Sequence, residues 1–483
     1  LIPSSIKERI LVKWNGKLLF YSILISFLAL PCISCSKSKK PEPEQKISSV
    51  EAPDIDPKPK VNFITWNEDY VSTLREEIPL FEKETGINVT WQILSEDIVR
   101  EKVLLDLASR EGKYDLVLTD VWILPEQVQA GYLEPLNDYI AKDPNFKKEL
   151  WYPKFLEPLI YNKTLYALPT ESFGAAIVYR KDLFDKHGLK APTTIEDLEK
   201  AAKKLTIDID GDGKFDIYGA VSRGKAGEEP AIVVSGFAWA YGGSWFENAA
   251  STVYEIKSQQ AKPAFNSPEF LAGFKKYCDL LKDYGPPGIK NYTWYEIIED
   301  GKKGRAAIIL NSGFNVGALD KDSIGMRDKY YAALPAKGPM NHSQEAFVMG
   351  YGINSGSHHK KAAWEFLKFI TGKHFMEHVM KDYATSIAIR DHRESDEFRK
   401  MHPYKTPDGK FILEENIDLI DWNYMPHIPE YSVIANLLGT ATSEVIAGKK
   451  TAKEALDQLN NAVYKLMKQA DYYSDEKAHD KKN

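Results

Sequence analysis

The chain has 483 residues, 43% of them hydrophobic, with 63 Lys and Arg against 69 Asp and Glu and a formal charge of −6. That length is enough for two or three domain cores, since single cores stop growing near ~250–300 residues. A mildly acidic balance argues against a nucleic-acid partner, whose phosphates demand a basic surface.

Residues 1–34 read as an export signal. Lys7, Arg9, Lys13 and Lys17 form a positive region, LLFYSILISFLAL (residues 18–30) an apolar core, and small Ser34 precedes Cys35. The apolar run is shorter than the ~20 residues that span a bilayer; an uncleaved anchor or a buried helix is the alternative. Ser34-Cys35 followed by SKSKKPEPEQK resembles a bacterial lipobox, which implies lipidation of Cys35 as the mature N-terminus. Cys32 stands where that pattern usually has Leu, so cleavage without lipid is the other reading. Removing residues 1–34 takes away four basic residues and one acid, leaving 59 against 68, a charge of −9. With Cys35 acylated, Cys278 in FKKYCDLLKDY has no partner for a disulfide and reads as a buried apolar thiol. Residues 36–60 are proline-rich, charged and poor in large apolar side chains, the composition of a disordered tether.

VNFITW (61–66) is a β-branched, apolar run of strand length. An amphipathic stretch over 74–85 stops at Gly86, the residue a helix C-terminus favours. INVTWQIL (87–94) reads as strand, 97–110 as helix and YDLVLTD (114–120) as strand, the alternation of a parallel sheet with crossover helices. In such sheets ligands sit beyond the carboxyl ends of the strands. Those ends carry Trp66-Asn67-Glu68, Ser95-Glu96 and Asp120-Val121-Trp122. A sugar needs that mixture, because its hydroxyls want acids and amides while its C–H faces want an aromatic ring. Capping residues and core aromatics are the alternative at each position.

Midway along the chain, DIDGDGKFD (208–216) places Asp208, Asp210, Asp212 and Asp216 at positions 1, 3, 5 and 9 of an EF-hand loop, with Gly213 at 6 and the Lys214 carbonyl at 7. Position 12 is Gly219 in place of the bidentate glutamate, so a structural Ca²⁺ and a metal-free Asp/Gly turn both stay open. No other cofactor is expected. No GxSxG elbow, HExxH pair or Walker A loop occurs, and His358-His359 read as a solvated helix start. Glu68, Glu96, Asp120 and Glu171 could supply a glycosidase's two carboxylates, which keeps an exported carbohydrate-active enzyme as a second hypothesis.

FEKETGINVTWQ, YDLVLTD, AGYLEPLNDYI (130–140) and the long block YALPTESFGAAIVYRKDLFDKHGLKAPTTIEDLEKAAKKL (166–205) resemble the extracellular solute-binding proteins of ABC transporters, family 1. Within that block, Thr193 and Glu196 predict a capping box, and Ile195, Leu198, Ala202 and Leu205 one apolar helix face. GRAAIILNSGF (304–314), MGYGINSGSHHKKAAWEFLKFITG (349–372), MPHIPEYSVI (425–434) and GKKTAKEALDQLNNAV (448–463) extend the resemblance over nearly all of 61–470.

The resemblance implies an α/β, two-lobed periplasmic-binding-protein-like fold (type II), each lobe a sheet flanked by helices and joined by a hinge with about three crossovers. Lobe one would be 61–168 plus 353–388, lobe two 169–352 plus 389–470, with a polar tail over 471–483. It implies a substrate-binding lipoprotein in the periplasm or at the cell surface, a monomeric binder with no enzymatic activity, capturing a sugar, oligosaccharide or polyol by lobe closure. Its partners would be that ligand, the permease subunits of an ABC importer and, through the lipid, a membrane; a sensor subunit is the alternative use of the same fold. Ligand contacts implied by family position are Trp66, Asn67, Glu96, Asp120 and Trp122 from lobe one. Glu171, Trp239, Tyr241, Trp245, Asn311, Gly313, Phe314, Tyr351 and Arg390 are those from the crossovers and lobe two. Phe314 stands where the family usually has tryptophan, and SIAIR lacks the glycine-proline usual before its arginine. Arg390 either pairs with an anionic group on the ligand or braces the hinge. The acidic loop resembles an insertion common in the second lobe.

Overall fold

The computed structural model describes residues 59–66, 71–310, 319, 326, 329–383, 388–402, 404–406 and 408–473. Strand β1 (Lys60–Trp66) enters the first sheet with every residue from Phe63 onward buried. It is flanked by β2 (Asn88–Leu94) and β3 (Leu116–Asp120), both parallel to it. The crossovers are α1 (Val71–Thr85), which buries Leu74, Ile78 and Phe81 and ends at Gly86 with φ +72°, and α2 (Glu96–Ser109). At such a left-handed turn glycine avoids the strain that an L side chain would carry. All five residues of β3 are buried, as befits a central strand covered on both faces.

A short hairpin, β4 (Ile160–Tyr161) and β5 (Thr164–Leu165), turns through Asn162 and Lys163, both at positive φ. Strand β6 (Ala167–Phe173) then joins the first sheet, whose order is β2-β1-β3-β10-β6. The inserted strand β10 (Phe347–Ile353) is antiparallel to both neighbours. The parallel pattern read from the sequence therefore holds for β1 to β3, and the sheet as a whole is mixed. Strands β7 (Ile177–Arg180), β8 (Ile308–Ile309) and β9 (Tyr330–Ala333) form a second, antiparallel sheet in the order β8-β7-β9. The first sheet draws its strands from 60–173 and 347–353, the second from 177–180, 308–309 and 330–333. The expected crossing points at 168/169 and 352/353 fall within paired strands, and the chain leaves the first sheet only after Phe173 and re-enters it at Phe347.

Helix α3 (Ile195–Lys204) corrects one detail. Its N-cap is Thr194, whose hydroxyl accepts from the Asp197 amide at 3.1 Å, so no Thr193–Glu196 capping box forms. The Ile195 amide donates to the Lys337 carbonyl at 3.0 Å, which fixes the first helical residue one place later. The expected apolar face of Ile195, Leu198, Ala202 and Leu205 is fully buried. Helices α4 (Glu229–Ala240) and α5 (Pro268–Tyr284) pack closely, because a Cβ on Gly273 would lie 2.4 Å from the Phe237 carbonyl oxygen. Cys278 is buried within α5, and burial raises its thiol pKa, as expected for an inert core cysteine. The C-terminal half returns to both sheets' flanks through α6 (Lys360–Thr371), α7 (Lys373–Tyr383), α8 (Tyr431–Ile446) and α9 (Ala452–Gln469). Where the chain passes from α7 toward α8, Arg393 is buried and donates to the carbonyls of Ser172 (2.7 Å) and Leu413 (2.9 Å). It therefore ties the end of β6 to the C-terminal segment. No helix among the described residues is long and apolar enough to cross a membrane.

Candidate functional site

Strands β1 and β3 end side by side at Trp66 and Asp120, and α2 brings Arg100 between them. The Arg100 guanidinium lies 5.8 Å from the Trp66 ring and donates to Asp120 Oδ2 at 3.1 Å. Asp120 Oδ1 accepts from the amides of Trp122 (2.9 Å) and Ile123 (3.1 Å), so one carboxylate pins the turn and orients the arginine.

That turn aims Trp122 into an aromatic cluster from the C-terminal part of the chain. Its ring packs edge-on against Trp422 and Tyr424, and lies nearly parallel to Tyr431 with centroids 5.2 Å apart. Tyr431 is in turn nearly parallel to Trp245 at 5.8 Å. Burial raises the Tyr431 phenol well above its usual pKa, with Glu228 and Asp120 adding to the shift, so these carboxylates face the same space. Glu228 accepts from Asn436 at 3.0 Å; burial raises its pKa, and the Asp120 charge raises it further. Nearby, Arg223 donates to Glu345 at 2.5 Å and lies 3.5 Å from Glu229. Burial pushes the Glu345 carboxyl up to about 7 against the opposing pull of Arg223.

Buried polar atoms of this cluster without a hydrogen-bond partner among the described residues include Trp66 Nε1, Trp122 Nε1 and the Tyr431 hydroxyl, with Arg223 Nε and Glu345 Oε2 beside them. Most buried side-chain polar atoms are paired; these donors lie around the Arg100–Asp120 pair, which makes the strand ends the candidate site.

Against this geometry, the chain matches the bacterial extracellular solute-binding protein family over residues 65–374. It belongs to that family. The mannitol-binding protein of Pseudomonas aeruginosa is 24% identical over 423 residues, covering 84% of this chain and 92% of that protein. A solute-binding protein from Agrobacterium radiobacter, solved with ribitol, superimposes with a TM-score of 0.72 at 26% identity, covering 84% of this chain and 98% of that one. One from Agrobacterium vitis with bound D-mannitol gives 0.73 at 25% identity, covering 85% and 99%. The two-lobed periplasmic-binding-protein fold expected from the sequence is the fold found.

In this solute-binding protein, the expected contacts Trp66, Asp120 and Trp122 come together at the strand ends, and Trp245 joins them through Tyr431. Trp245 differs from the others, since its Nε1 donates to Ser235 Oγ at 2.8 Å. Tyr351 is wholly buried within the sheet core, its hydroxyl hydrogen-bonded to Thr65 at 2.9 Å and its ring edge-on to Phe63. Glu171 is half-buried on β6 opposite Met349. Trp239 is half-buried near the end of α4, where its carbonyl accepts from Asn341. Tyr241 caps that helix, and its phenol pKa is raised by burial, with Lys276, Glu196 and Glu199 as charged neighbours. These neighbours belong to α3 and α5 and not to the strand-end cluster. Arg390 stacks on Tyr152 at 5.3 Å. Glu96 opens α2, but its side chain lies outside the description, as do Asn67, Asn311, Gly313, Phe314 and Cys35 entirely.

Sequence reasoning missed Arg100, Glu228 and Tyr431. Arg100 stands four residues after Glu96, one turn along the same helix face, and that spacing was a usable signal. Tyr431 sits in the quoted MPHIPEYSVI motif, where nothing local sets it apart from a core tyrosine.

The solute-binding protein's acidic loop closes on itself. Asp208 accepts from the amides of Gly211 (2.7 Å) and Gly213 (2.9 Å), Asp210 from Asp212 (3.1 Å) and Asp212 from Lys214 (2.8 Å). Carboxylate oxygens of Asp208, Asp210 and Asp212 lie within 4.8 Å of one another. Asp216 is turned to the Ile209 amide at 2.8 Å, outside that group. The donor set of three hard oxygens fits Ca²⁺ in kind, with the Lys214 carbonyl as the fourth ligand expected from position 7.

Proposed function

We propose that this protein captures a small neutral polyol or sugar at the strand ends of β1 and β3 and passes it to a membrane permease of an ABC importer. The observation that carries the reading is the set of orphaned donors, Trp66 Nε1, Trp122 Nε1 and Tyr431 Oη, beside aromatic faces and carboxylates. A polyol hydroxyl accepts from an indole N–H and donates to a carboxylate, while its C–H face covers a ring. Around the site the guanidinium groups of Arg100 and Arg223 are already paired with Asp120, Glu229 and Glu345, which disfavours a phosphate or carboxylate on the ligand. The ribitol and mannitol complexes of related proteins support the same ligand class.

Trp66, Asp120 and Trp122 come from the first-sheet lobe and Glu228 and Tyr431 from the other. A ligand bridging them binds the closed arrangement better than the open one, and that difference in affinity is what shifts the population to the closed state, the general behaviour of periplasmic binding proteins. Export, lipidation at Cys35 and a permease partner complete the proposal, and the acidic loop is proposed as a structural Ca²⁺ site. Thermal denaturation with ribitol, D-mannitol, maltose and glycerol 3-phosphate tests the ligand class. A ligand at 100 times its Kd adds ~2.7 kcal/mol, so a pentitol or hexitol should raise Tm and, in small-angle scattering, contract the molecule. Stabilisation by the phosphate ester alone would overturn the neutral-ligand reading.

A further inference from the structure

A second cluster of ligating side chains lies on the outer helices of the first-sheet lobe. His374 and His378 stand four residues apart on α7, which puts both imidazoles on one helix face. Opposite them, α1 presents Glu77, whose side chain is only 3% exposed. Its carboxylate meets His374 Nε2 at 3.2 Å and is in contact with His378 Nδ1. One ligand atom from each of the three residues lies within 4.8 Å of the other two.

A buried carboxylate is costly unless a cation or donors compensate it. An alanine or leucine would serve α1 better as a packing residue. Two imidazoles and one carboxylate make a donor set suited to a divalent first-row metal, and a His₂Glu set leaves the fourth tetrahedral position for water. Metal–ligand bonds of about 2.0–2.2 Å put ligand atoms roughly 3.3 Å apart, within reach of small side-chain rotations here. His374 is 65% exposed, which gives an ion a path in from solvent.

We infer that Glu77, His374 and His378 form a site for Zn²⁺ or a similar divalent transition metal. The ion clamps α1, the helix that follows β1, to α7 in the C-terminal half of the chain. It is separate from the strand-end site and from the acidic loop, and shares no residue with either.

The test is calorimetric titration of the tagless full chain with ZnCl₂, with Co²⁺ as a spectroscopic probe. Wild type should take up one metal per chain, show the visible absorption of tetrahedral Co²⁺ and melt at a higher temperature in Zn²⁺ than in EDTA. His374→Ala, which removes one of the two imidazoles on Glu77, should bind Zn²⁺ about 10-fold or more weakly, the scale of loss that even an outer-shell partner brings, and should gain less in melting temperature from Zn²⁺ over EDTA than wild type does. The pair His374→Ala/His378→Ala should abolish the Co²⁺ spectrum, and Glu77→Gln should weaken the metal while keeping the shape of the buried side chain. Absence of saturable Zn²⁺ binding in wild type, or stoichiometric binding unchanged in the double variant, overturns the assignment.

Discussion

Trp122 and Trp245 both stack near Tyr431 and are about equally buried, at 3% and 2% exposed. The Trp245 indole donates to Ser235 and its ring packs on Phe265, so all its bonding is internal. The Trp122 indole, like that of Trp66, has no acceptor among the described residues. The difference teaches that two equally buried indoles can differ in whether their one polar atom is satisfied inside the fold, which burial alone does not report.

The largest expected effect follows from deleting each ring. Trp245→Ala should cost about 3–5 kcal/mol of stability as a core truncation. Trp245→Phe should cost about 1–3 kcal/mol through the lost packing and the stranded Ser235 hydroxyl. Trp122→Phe and Trp66→Phe keep an apolar ring and remove a donor that has no internal partner. They should shift Tm little and weaken polyol affinity by about 5- to 30-fold, the worth of one or two hydrogen bonds. Calorimetric Kd and Tm for the four variants decide it. If Trp122→Phe behaves like Trp245→Phe, losing stability and keeping affinity, the contrast is void and the site must be sought elsewhere.

The same contrast sharpens electrostatically. Burial holds Glu345 up to about 7 from 4.5, despite Arg223, while burial holds His427, packed on Trp122, down to about 4 from 6.5. Between pH 4.5 and 7 the folded Glu345 keeps a proton that the unfolded chain has lost, so its contribution falls as pH rises. Between 6.5 and 4 the unfolded His427 takes a proton that the folded one refuses, so its contribution falls as pH drops. Each slope is at most about 1.4 kcal/mol per pH unit, with a ceiling of about 3 kcal/mol, and over roughly pH 4.5–6.5 the two oppose. Urea midpoints across that range should steepen with rising pH in Glu345→Gln and tilt the other way in His427→Gln. Parallel profiles for both variants and wild type would show that neither group titrates as placed.

Much of the architecture was open to reading because it is local. The strands β1 to β3 alternate with helices at the expected periods, and α1 stops at the glycine that marked its end. Strand β10 shows what was hidden: its antiparallel insertion between β3 and β6 is set by pairing with residues far away in the chain, such as Met349 with Asp120 and Phe347 with Phe173, which no local periodicity encodes. The site divides in the same way. Trp66, Asp120 and Trp122 could be placed at strand ends from local sequence, and the structure brings them together there. Glu228 and Tyr431 reach the cluster from helix termini distant in sequence, and Arg100 looked like one more charged residue on an amphipathic helix. The one-residue slip in the α3 cap came from a tertiary bond, Ile195 to Lys337, overriding two threonines of equal local merit.

The smallest effect is expected at the acidic loop, which the strand-end cluster also illuminates. There, the Trp66 and Trp122 indoles have no acceptor among the described residues; in the loop, the carboxylates accept backbone amides. The Gly213 amide holds the Asp208 carboxyl below its usual pKa, so this group is satisfied before any metal arrives. Ca²⁺ should therefore bind weakly, in the ~10⁻⁴–10⁻³ M range of extracellular modules, and raise Tm only at millimolar concentration. Asp208→Ala removes the acceptor of two turn amides and should lower Tm even in EDTA. Asp210→Ala should leave the EDTA melting point nearly unchanged, abolish the Ca²⁺-dependent rise and keep polyol affinity within severalfold. A Ca²⁺ response that survives Asp210→Ala places the ion elsewhere, and loss of polyol binding on chelation makes it part of the ligand site.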